Sequence, residues 1–341
     1  MVTRELLEQY SLISLYSALA VLTLAMLGFI LYLARSAAAD SERPASAPQR
    51  AEELVSAGAR PGVQAAGMAV PASSSPDLGA GERHTAPAKA RKAAGPARML
   101  TWLAMLLVGA SIVLRGASVH RAPLGNLHEF IAAASFVVLL GFCLWTLSRN
   151  VDWLGAFVTA PVLLMLGSAT TFWYTEAAQL LPSLRSSWLV IHVTVATISV
   201  GVFTLAAMVS LAYLLIDRAE RNPEQHDGFA ARLRRIVPGA AELERLGYGL
   251  HVIAFPLWTF TLIAGAIWAR QAWASYWNWD PKEVWTFIIW VVYAAYLHAR
   301  ATTGISRQRA TYIALAGFVC ILLNYSVVNM YFVGQHSYSG L

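Results

Sequence analysis

Eight apolar stretches divide this chain, and each is close to the length that an α-helix needs to cross a lipid bilayer. An α-helix rises about 1.5 Å per residue, so about 20 apolar residues cross the roughly 30 Å hydrocarbon layer. The sequence therefore predicts an all-α fold, a polytopic membrane protein with about eight transmembrane helices. The stretches cover about 11–34, 99–117, 127–147, 153–170, 188–216, 248–269, 285–301 and 310–333.

Composition supports a membrane location and argues against two other classes of function. Only 13% of the 341 residues are charged, against about 25% in a typical soluble domain. The net charge of +6 comes from Arg and Lys in short connections and one polar stretch, which is not a nucleic-acid-binding surface. Cys143 and Cys320 lie inside apolar stretches and form no CxxC motif, so dithiol redox chemistry is not expected.

The first apolar stretch and the polar stretch after it form separate regions. In residues 1–35 the apolar run is too long for a signal-peptide core and lacks an A-x-A-like cleavage site, which predicts a retained transmembrane helix. Residues 36–98 are rich in Ala, Pro, Ser and Gly without periodicity, which predicts a disordered cytoplasmic linker. The other seven helices lie in residues 99–341.

The distribution of Arg and Lys predicts how the helices are oriented. Connections 217–247 and 300–309 are rich in arginine, and basic connections stay on the cytoplasmic side. The alternation of helices then places the N-terminus on the outer side of the membrane. It places four further segments there as well, at 117–127, 171–187, 270–284 and 334–341.

One of these outer segments, WASYWNWDPKEVW at 273–285, combines four tryptophans with charged residues. An interfacial aromatic belt is one interpretation, because Trp and Tyr favour the headgroup region of a bilayer. The number of tryptophans favours a second interpretation, a platform whose indole faces contact a large flat ligand while polar groups fix its edge. The candidate platform residues are Trp273, Trp277, Trp279, Trp285 and Asp280.

Two histidines are predicted at the same outer level as this platform. His192 lies near the start of the fifth helix, and His336 follows the eighth helix in GQHSYSG. A lone histidine in an apolar helix is usually a core residue, but a pair beside aromatic rings suggests axial ligation of a haem iron. His298 lies about 20 Å deeper along the seventh helix. It is either a snorkelling helix end or the ligand of a second haem position whose other ligand comes from another polypeptide.

Other polar residues predicted near the outer face have less specific roles. Three arginines go against the charge bias there, which makes Arg115, Arg121 and Arg185 candidates for binding an anionic ligand. The remaining histidines of the helical regions are expected to have structural or peripheral roles, and these are His120, His128 and His251.

The platform segment resembles the tryptophan-rich WWD signature, W-G-x-x-W-x-W-D, of haem-handling proteins in cytochrome c biogenesis. Ala274 stands where the family usually has glycine, and alanine resists the positive φ of a tight turn. The continuation DPKEVW, together with PLGNLHEF at 123–130 and the final GQHSYSG, is similar to the CcsA/ResC family of System II, also named CcsB in actinobacteria. The resemblance covers roughly residues 99–341.

The resemblance implies roles for individual residues. His192 and His336 match two outer histidines that ligate haem above the WWD segment, and His298 matches a transmembrane haem ligand paired with a ResB-like partner. The family delivers haem b, as substrate, to apocytochrome c carrying C-x-x-C-H, on the outer side of the cytoplasmic membrane. It is a component of a cytochrome c synthase that forms thioether bonds. No residue is identified as a general acid or base.

Three other functions compete with this interpretation. A transporter with an outer tryptophan-lined site is expected to show internal repeats and interrupted helices. A structural subunit that scaffolds a ResB-like protein would not bind haem through its own histidines. A haem-delivery protein of the System I type would lack attachment activity, and the DPKE sequence argues against it.

Overall fold

The structure is a computed structural model, and it describes residues 2–39, 88–180, 184–222, 233–234, 236–302 and 304–336. Most of the predicted disordered linker, at 40–87, and residues 337–341 lie outside the described residues. A short 3-10 turn, Asp152–Leu154, precedes the fourth α-helix. The α-helices in chain order are α1 Val2–Ala39, α2 Ala88–Val119, α3 Leu127–Ser148, α4 Gly155–Thr171, α5 Ser187–Arg221, α6 Ala240–Trp273, α7 Pro281–Thr302, α8 Arg307–Tyr325 and α9 Val327–Tyr331.

The predicted fold class is confirmed. Eight segments of the described chain are helical, long and apolar enough to cross a membrane. No β-strand occurs in the part of the chain that the structure describes, so the protein is an all-α polytopic membrane protein. The last membrane span, Arg307–Tyr331, combines α8 with α9 and is broken at Ser326.

Helix ends differ from the prediction where polar residues also adopt helical backbone. α2 begins at Ala88 rather than near 99, so residues 88–98 are helix instead of linker. That stretch is rich in Ala, Lys and Arg, which have high helix propensity. α5 continues to Arg221 and α6 begins at Ala240, so the connection between them is shorter than predicted. Hydropathy identifies the part of a helix that lies inside the membrane. Helix propensity and capping residues determine how far its polar ends extend beyond that part.

The alternation of helices brings the predicted outer segments to one end of the bundle. α1 also begins there, because Arg4 donates to the Ala177 carbonyl over 2.5 Å and Glu8 accepts from the Ala177 amide over 3.0 Å. We call this the platform end, and it carries the connections 120–126, 172–186 and 274–280 and the segment 332–336.

Small residues allow α1 to pack closely against the rest of the bundle. A Cβ atom on Gly28 would lie 2.9 Å from the Cβ of Ala97 in α2. A Cβ atom on Gly155 would overlap the ring of Phe29, so glycine is needed where α4 begins. Close approach through small residues is a common way for helices to associate in lipid. α1 is therefore an integral part of the bundle.

A buried ion cluster holds residues 172–180 in place. Glu129, at the start of α3, accepts from Arg115 Nε over 3.0 Å and from Arg121 Nη1 over 2.8 Å. Arg121 Nε also donates to the Ala178 carbonyl over 2.9 Å, and Arg115 donates to the Thr175 carbonyl. The PLGNLHEF motif thus fixes one wall of the platform end by placing one carboxylate between two arginines.

An aromatic core lies beneath the platform end, between α5, α6, α7 and α8. The rings of Phe203 and Tyr293 stack with centroids 3.9 Å apart. The indole of Trp258 donates to the Thr286 carbonyl over 3.1 Å, which joins α6 to α7. This packing fixes the two helices whose ends carry the tryptophan-rich segment.

Candidate functional site

The connection 274–280 turns sharply at two non-glycine residues with positive φ. Ala274 ends α6 with φ 61° and ψ 15°, and Trp279 has φ 56°. The left-handed conformation costs an L-residue roughly 1–2 kcal/mol. The side chain of Arg270 donates to the Ala274 carbonyl over 2.6 Å and so closes the end of the helix. Ala274 therefore adopts the conformation that glycine would take at lower cost.

The charged residues of the tryptophan-rich segment cap α7. Asp280 Oδ2 accepts from the Lys282 amide over 3.0 Å, and Glu283 Oε2 accepts from the Asp280 amide over 3.1 Å. This reciprocal pair is a capping box, with Pro281 at the first helical position, where its missing N–H has no cost. Glu283 Oε2 also accepts from the Asn278 amide over 2.8 Å. The DPKE sequence thus fixes the direction in which α7 leaves the platform.

Asp280 also anchors the segment 332–336. Its Oδ1 accepts from the Gln335 amide over 2.5 Å, and its Oδ2 accepts from His336 Nδ1 over 2.7 Å. A Cβ atom on Gly334 would overlap the Asp280 carboxylate, so glycine is required for this approach. One buried carboxylate therefore joins the cap of α7 to a histidine 56 residues later in the chain.

Protonation of Asp280 is disfavoured by these contacts. Burial alone would raise the pKa of Asp280, but the hydrogen bond and the charge of His336 act in the opposite direction. The amides of Gln335 and Lys282 add to this effect, and the net result is a pKa below the usual value of 3.8. The group that orients His336 is thus a carboxylate at neutral pH.

His192 is fixed by α6. Its Nδ1 lies 3.0 Å from the Thr261 carbonyl oxygen. A carbonyl only accepts hydrogen bonds, so Nδ1 carries the hydrogen and Nε2 carries the lone pair that can bind a metal. Gly265 makes room for the imidazole, because a Cβ atom there would lie 2.8 Å from His192 Cε1.

His336 is oriented through Nδ1 in the same way, but by the Asp280 carboxylate instead of a backbone carbonyl. Asp280 accepts the hydrogen of His336 Nδ1, which assigns metal binding by the neutral imidazole to Nε2. Both imidazoles pack against Trp268, whose ring centroid lies 6.0 Å from that of His192 and 5.9 Å from that of His336. Trp273 packs edge-on to His336 with centroids 5.0 Å apart. The predicted pair of histidines is therefore brought together around indole rings.

The two histidines line two adjoining cavities, which we call the paired cavities. The larger has about 820 Å³ of empty space and the smaller about 430 Å³. Apolar side chains, Phe130 and Leu189 among them, contribute to the wall of the larger cavity, and tryptophans to that of the smaller. The residues common to both walls are His192, Thr261, Lys282, Thr286 and His336.

The predicted platform tryptophans divide into two groups. Trp273 and Trp277 line the smaller cavity together with Trp268, which the sequence reasoning did not single out. Trp279 is 77% exposed, packs edge-on to Trp277 and lines neither cavity. Trp285 lies in the first turns of α7 and also lines neither cavity. The periodicity of α6 gave no reason to distinguish Trp268 from other core residues.

His298 lies apart from the paired cavities. It is on α7 near the opposite end of the bundle, and its side chain is exposed at the surface of the bundle. His128 and His251 are buried, and each donates from Nδ1 to a carbonyl of the membrane-spanning helices, over 2.9 Å and 2.7 Å. Those two histidines have the structural roles that the sequence predicts for them.

The three arginines predicted as anion ligands do not line the paired cavities. Arg115 and Arg121 bind Glu129, and Arg185 donates to the Leu180 carbonyl over 3.0 Å at a third cavity. Lys282 is instead the basic side chain in the shared wall.

These features define a class of protein. No three His, Cys, Asp or Glu side chains cluster as a metal-ion site within the described ranges. Two imidazoles from different elements are each oriented through Nδ1, so Nε2 is the nitrogen of each neutral ring that can bind a metal. The chain is a polytopic membrane protein with two histidines and several tryptophans lining cavities at one end of its bundle.

Comparison with known proteins identifies the family. Residues 124–336 match the family described as Cytochrome C assembly protein. The chain is 35% identical over 233 residues to the cytochrome c biogenesis protein CcsA of Guillardia theta, covering 64% of this chain and 77% of that protein. It is 36% identical over 265 residues to CcsA of Prochlorococcus marinus, with 70% and 83% covered. The chain therefore belongs to the cytochrome c assembly protein family, and the predicted resemblance to CcsA is confirmed.

Proposed function

We propose that this protein delivers haem b to apocytochrome c and takes part in its covalent attachment, together with a ResB-like membrane partner. Membership of the cytochrome c assembly family supports a role in cytochrome c maturation. The single observation that carries the more specific proposal is the pair His192 and His336. Both imidazoles are oriented through Nδ1 and both line the paired cavities beside Trp268.

The orientation follows from the charges at the end opposite the platform. Arg218 and Arg221 end α5, and Arg300 and Arg307 flank the connection between α7 and α8. Basic residues next to short connections favour the cytoplasmic side of a membrane. The platform end then faces the outer side of the cytoplasmic membrane, where apocytochrome c receives haem.

His298 is proposed to hold haem at an earlier stage, within the bilayer. An imidazole exposed on a membrane-spanning helix is costly in lipid unless a partner covers it. A histidine of the ResB-like subunit would supply the second axial ligand. Haem would then move to the paired cavities, where His192 and His336 bind the iron on the outer side.

The chemistry of attachment requires positioning more than acid–base catalysis. Each cysteine thiol of the C-x-x-C-H segment adds across one vinyl group, so that sulfur bonds to one vinyl carbon and hydrogen to the other. The addition needs no oxidant or reductant. Holding the reactants in near-attack geometry contributes roughly 7–11 kcal/mol in well-oriented reactions. The role of this chain is to hold the porphyrin between indole rings with its vinyl groups accessible.

Absorption spectroscopy of the full chain purified with its partner tests the proposal. We expect a bis-histidine haem spectrum, and we expect His192→Gly or His336→Gly to abolish maturation, with partial rescue by added imidazole. His120→Gly is the matched control, since His120 is exposed at the platform end with φ 52°, which suits glycine. A colourless complex, or full maturation by both ligand variants, would refute the assignment and favour a scaffolding role.

A further inference from the structure

Lys282 is a basic, half-buried side chain in the wall that the paired cavities share. Its Nζ donates to the Asn324 carbonyl over 2.8 Å and lies 5.2 Å from the ring centroid of Tyr325. Both contacts are with neutral groups. It is also the only lysine outside the first 98 residues. Its presence at the platform end, far from the lysines at the start of α2, requires an explanation.

The neighbouring acids make other contacts, although Glu283 Oε1 in the wall of the smaller cavity is buried without a hydrogen-bond partner among the described residues. In the described parts of the chain, Lys282 forms no ion pair with a carboxylate within 4.0 Å. Asp280 binds the Lys282 backbone amide, the Gln335 amide and His336, while Glu283 Oε2 binds two backbone amides. An ammonium group in a low-dielectric wall is costly without an anion beside it. Asp280 acts on Lys282 only from beyond ion-pair distance, so an anion in direct contact with Nζ would have to come from a ligand in the cavities.

The position of Lys282 identifies which part of the ligand carries that charge. The same walls contain His192 and His336, so an anion at Lys282 belongs to the molecule whose iron these histidines hold. The ionised groups of haem b are two propionates on one edge of the porphyrin. Lysine has three N–H donors, and the Asn324 carbonyl uses one.

We propose that the Lys282 ammonium binds a propionate carboxylate of the porphyrin held in the paired cavities, an inference that rests on the proposed function. This contact determines that the edge of the porphyrin that carries the propionates faces Lys282. The vinyl groups then lie away from Lys282, where the apocytochrome thiols approach. Lys282 is a specificity-determining residue, whereas the histidines recognise only the metal.

Paired titrations with haem and with haem dimethyl ester, whose carboxylates are blocked, test the inference in the full chain with its partner. We expect the wild type to prefer haem over the ester by about 10- to 150-fold, the range for one hydrogen bond to a charged group. Lys282→Met should lose that preference while binding the ester with unchanged affinity and an unchanged bis-histidine spectrum. Lys282→Arg should retain part of it. Arg185→Met, which removes a cation outside the paired cavities, is the matched control.

The outcomes separate the two proposals. If neither haem nor the ester binds the wild type, both the proposed function and this inference are wrong. If both bind with a preference that Lys282→Met leaves unchanged, the function stands and the propionate contact is refuted. Competition of haem binding by phosphatidylglycerol in the wild type, absent in Lys282→Met, would assign the cation to a lipid phosphate and overturn the inference.

Discussion

Asp280→Asn tests how the segment 332–336 presents His336 to iron. The substitution keeps the shape of the side chain and replaces one carboxylate oxygen with an amide nitrogen. Oδ1 can still accept from the Gln335 amide, but the group that accepted from His336 Nδ1 becomes a donor. His336 must then either lose this hydrogen bond or move its hydrogen to Nε2. Either change opposes ligation through Nε2.

The magnitude follows from the burial of the pair. The Asp280 side chain is 2% exposed and that of His336 is 22% exposed, so solvent screens their hydrogen bond only weakly. A hydrogen bond to a charged group contributes about 1.5–3 kcal/mol, which is about 10- to 150-fold in an equilibrium constant. Loss of a group that orients a metal-binding histidine typically weakens metal affinity by about 10- to 100-fold. We therefore expect haem affinity at this site to fall by about 10- to 100-fold.

The assay is haem titration of the purified complex, followed by the fraction of low-spin, six-coordinate iron. Glu283→Gln is the matched control, because it removes the other carboxylate of the same helix cap, which accepts from the Asn278 and Asp280 amides and not from His336 Nδ1. We expect the control to retain its ligand and Asp280→Asn to shift towards a five-coordinate spectrum that added imidazole restores. Equal affinity and an unchanged spectrum in both variants would refute the orienting role of Asp280.

Four further predictions use the same geometry. Gly334→Ala should release the segment that ends the described chain and increase its amide exchange, while Gly249→Ala, with open space around its Cβ position, should not. Ala274→Gly should raise stability by roughly 1 kcal/mol, measured as a higher thermal midpoint, because glycine adopts φ 61° without strain. Glu129→Gln should cost about 3–5 kcal/mol and reduce the yield of folded protein, because two arginines lose their buried counter-charge. The pKa of Asp280 is lowered by folding, so the ionised carboxylate stabilises the fold fully above pH 3.8. This stabilisation is lost only when the pH falls through the lower pKa of the folded state. We therefore expect the amide-exchange protection of segment 332–336 to stay constant at neutral and mildly acidic pH.

The number of helices could be predicted from the sequence because hydrocarbon imposes a strict requirement. A backbone in lipid must satisfy its own hydrogen bonds, so a long apolar run is a helix whatever its neighbours are. Helix ends outside that environment are less constrained. The polarity of residues 88–98 predicts a linker, whereas their alanines and basic residues favour the helix that the structure shows.

The histidine pair could also be predicted, because its level in the membrane follows from topology alone. The contacts that orient it could not, since they join residues distant in sequence. Thr261 lies 69 residues from His192, and Asp280 lies 56 residues from His336. The side of α6 that faces the site depends on packing with α5, so Trp268 looked like any other apolar residue. Lys282 is the only lysine after residue 98 in the sequence, but only the cavity wall gives its position a reason.

The fold restrains His192 more firmly than His336. His192 lies on a helix of 35 residues and its ring packs against Gly265, so it moves only with the bundle. His336 lies on a short non-helical segment past Tyr331, which the Asp280 carboxylate and the hydrogen bond from Asn278 Nδ2 to Gln335 Oε1 attach to the platform. Under the proposed function, we expect the histidine of an incoming cytochrome to replace His336 rather than His192 on the iron, because His336 is not part of a helix.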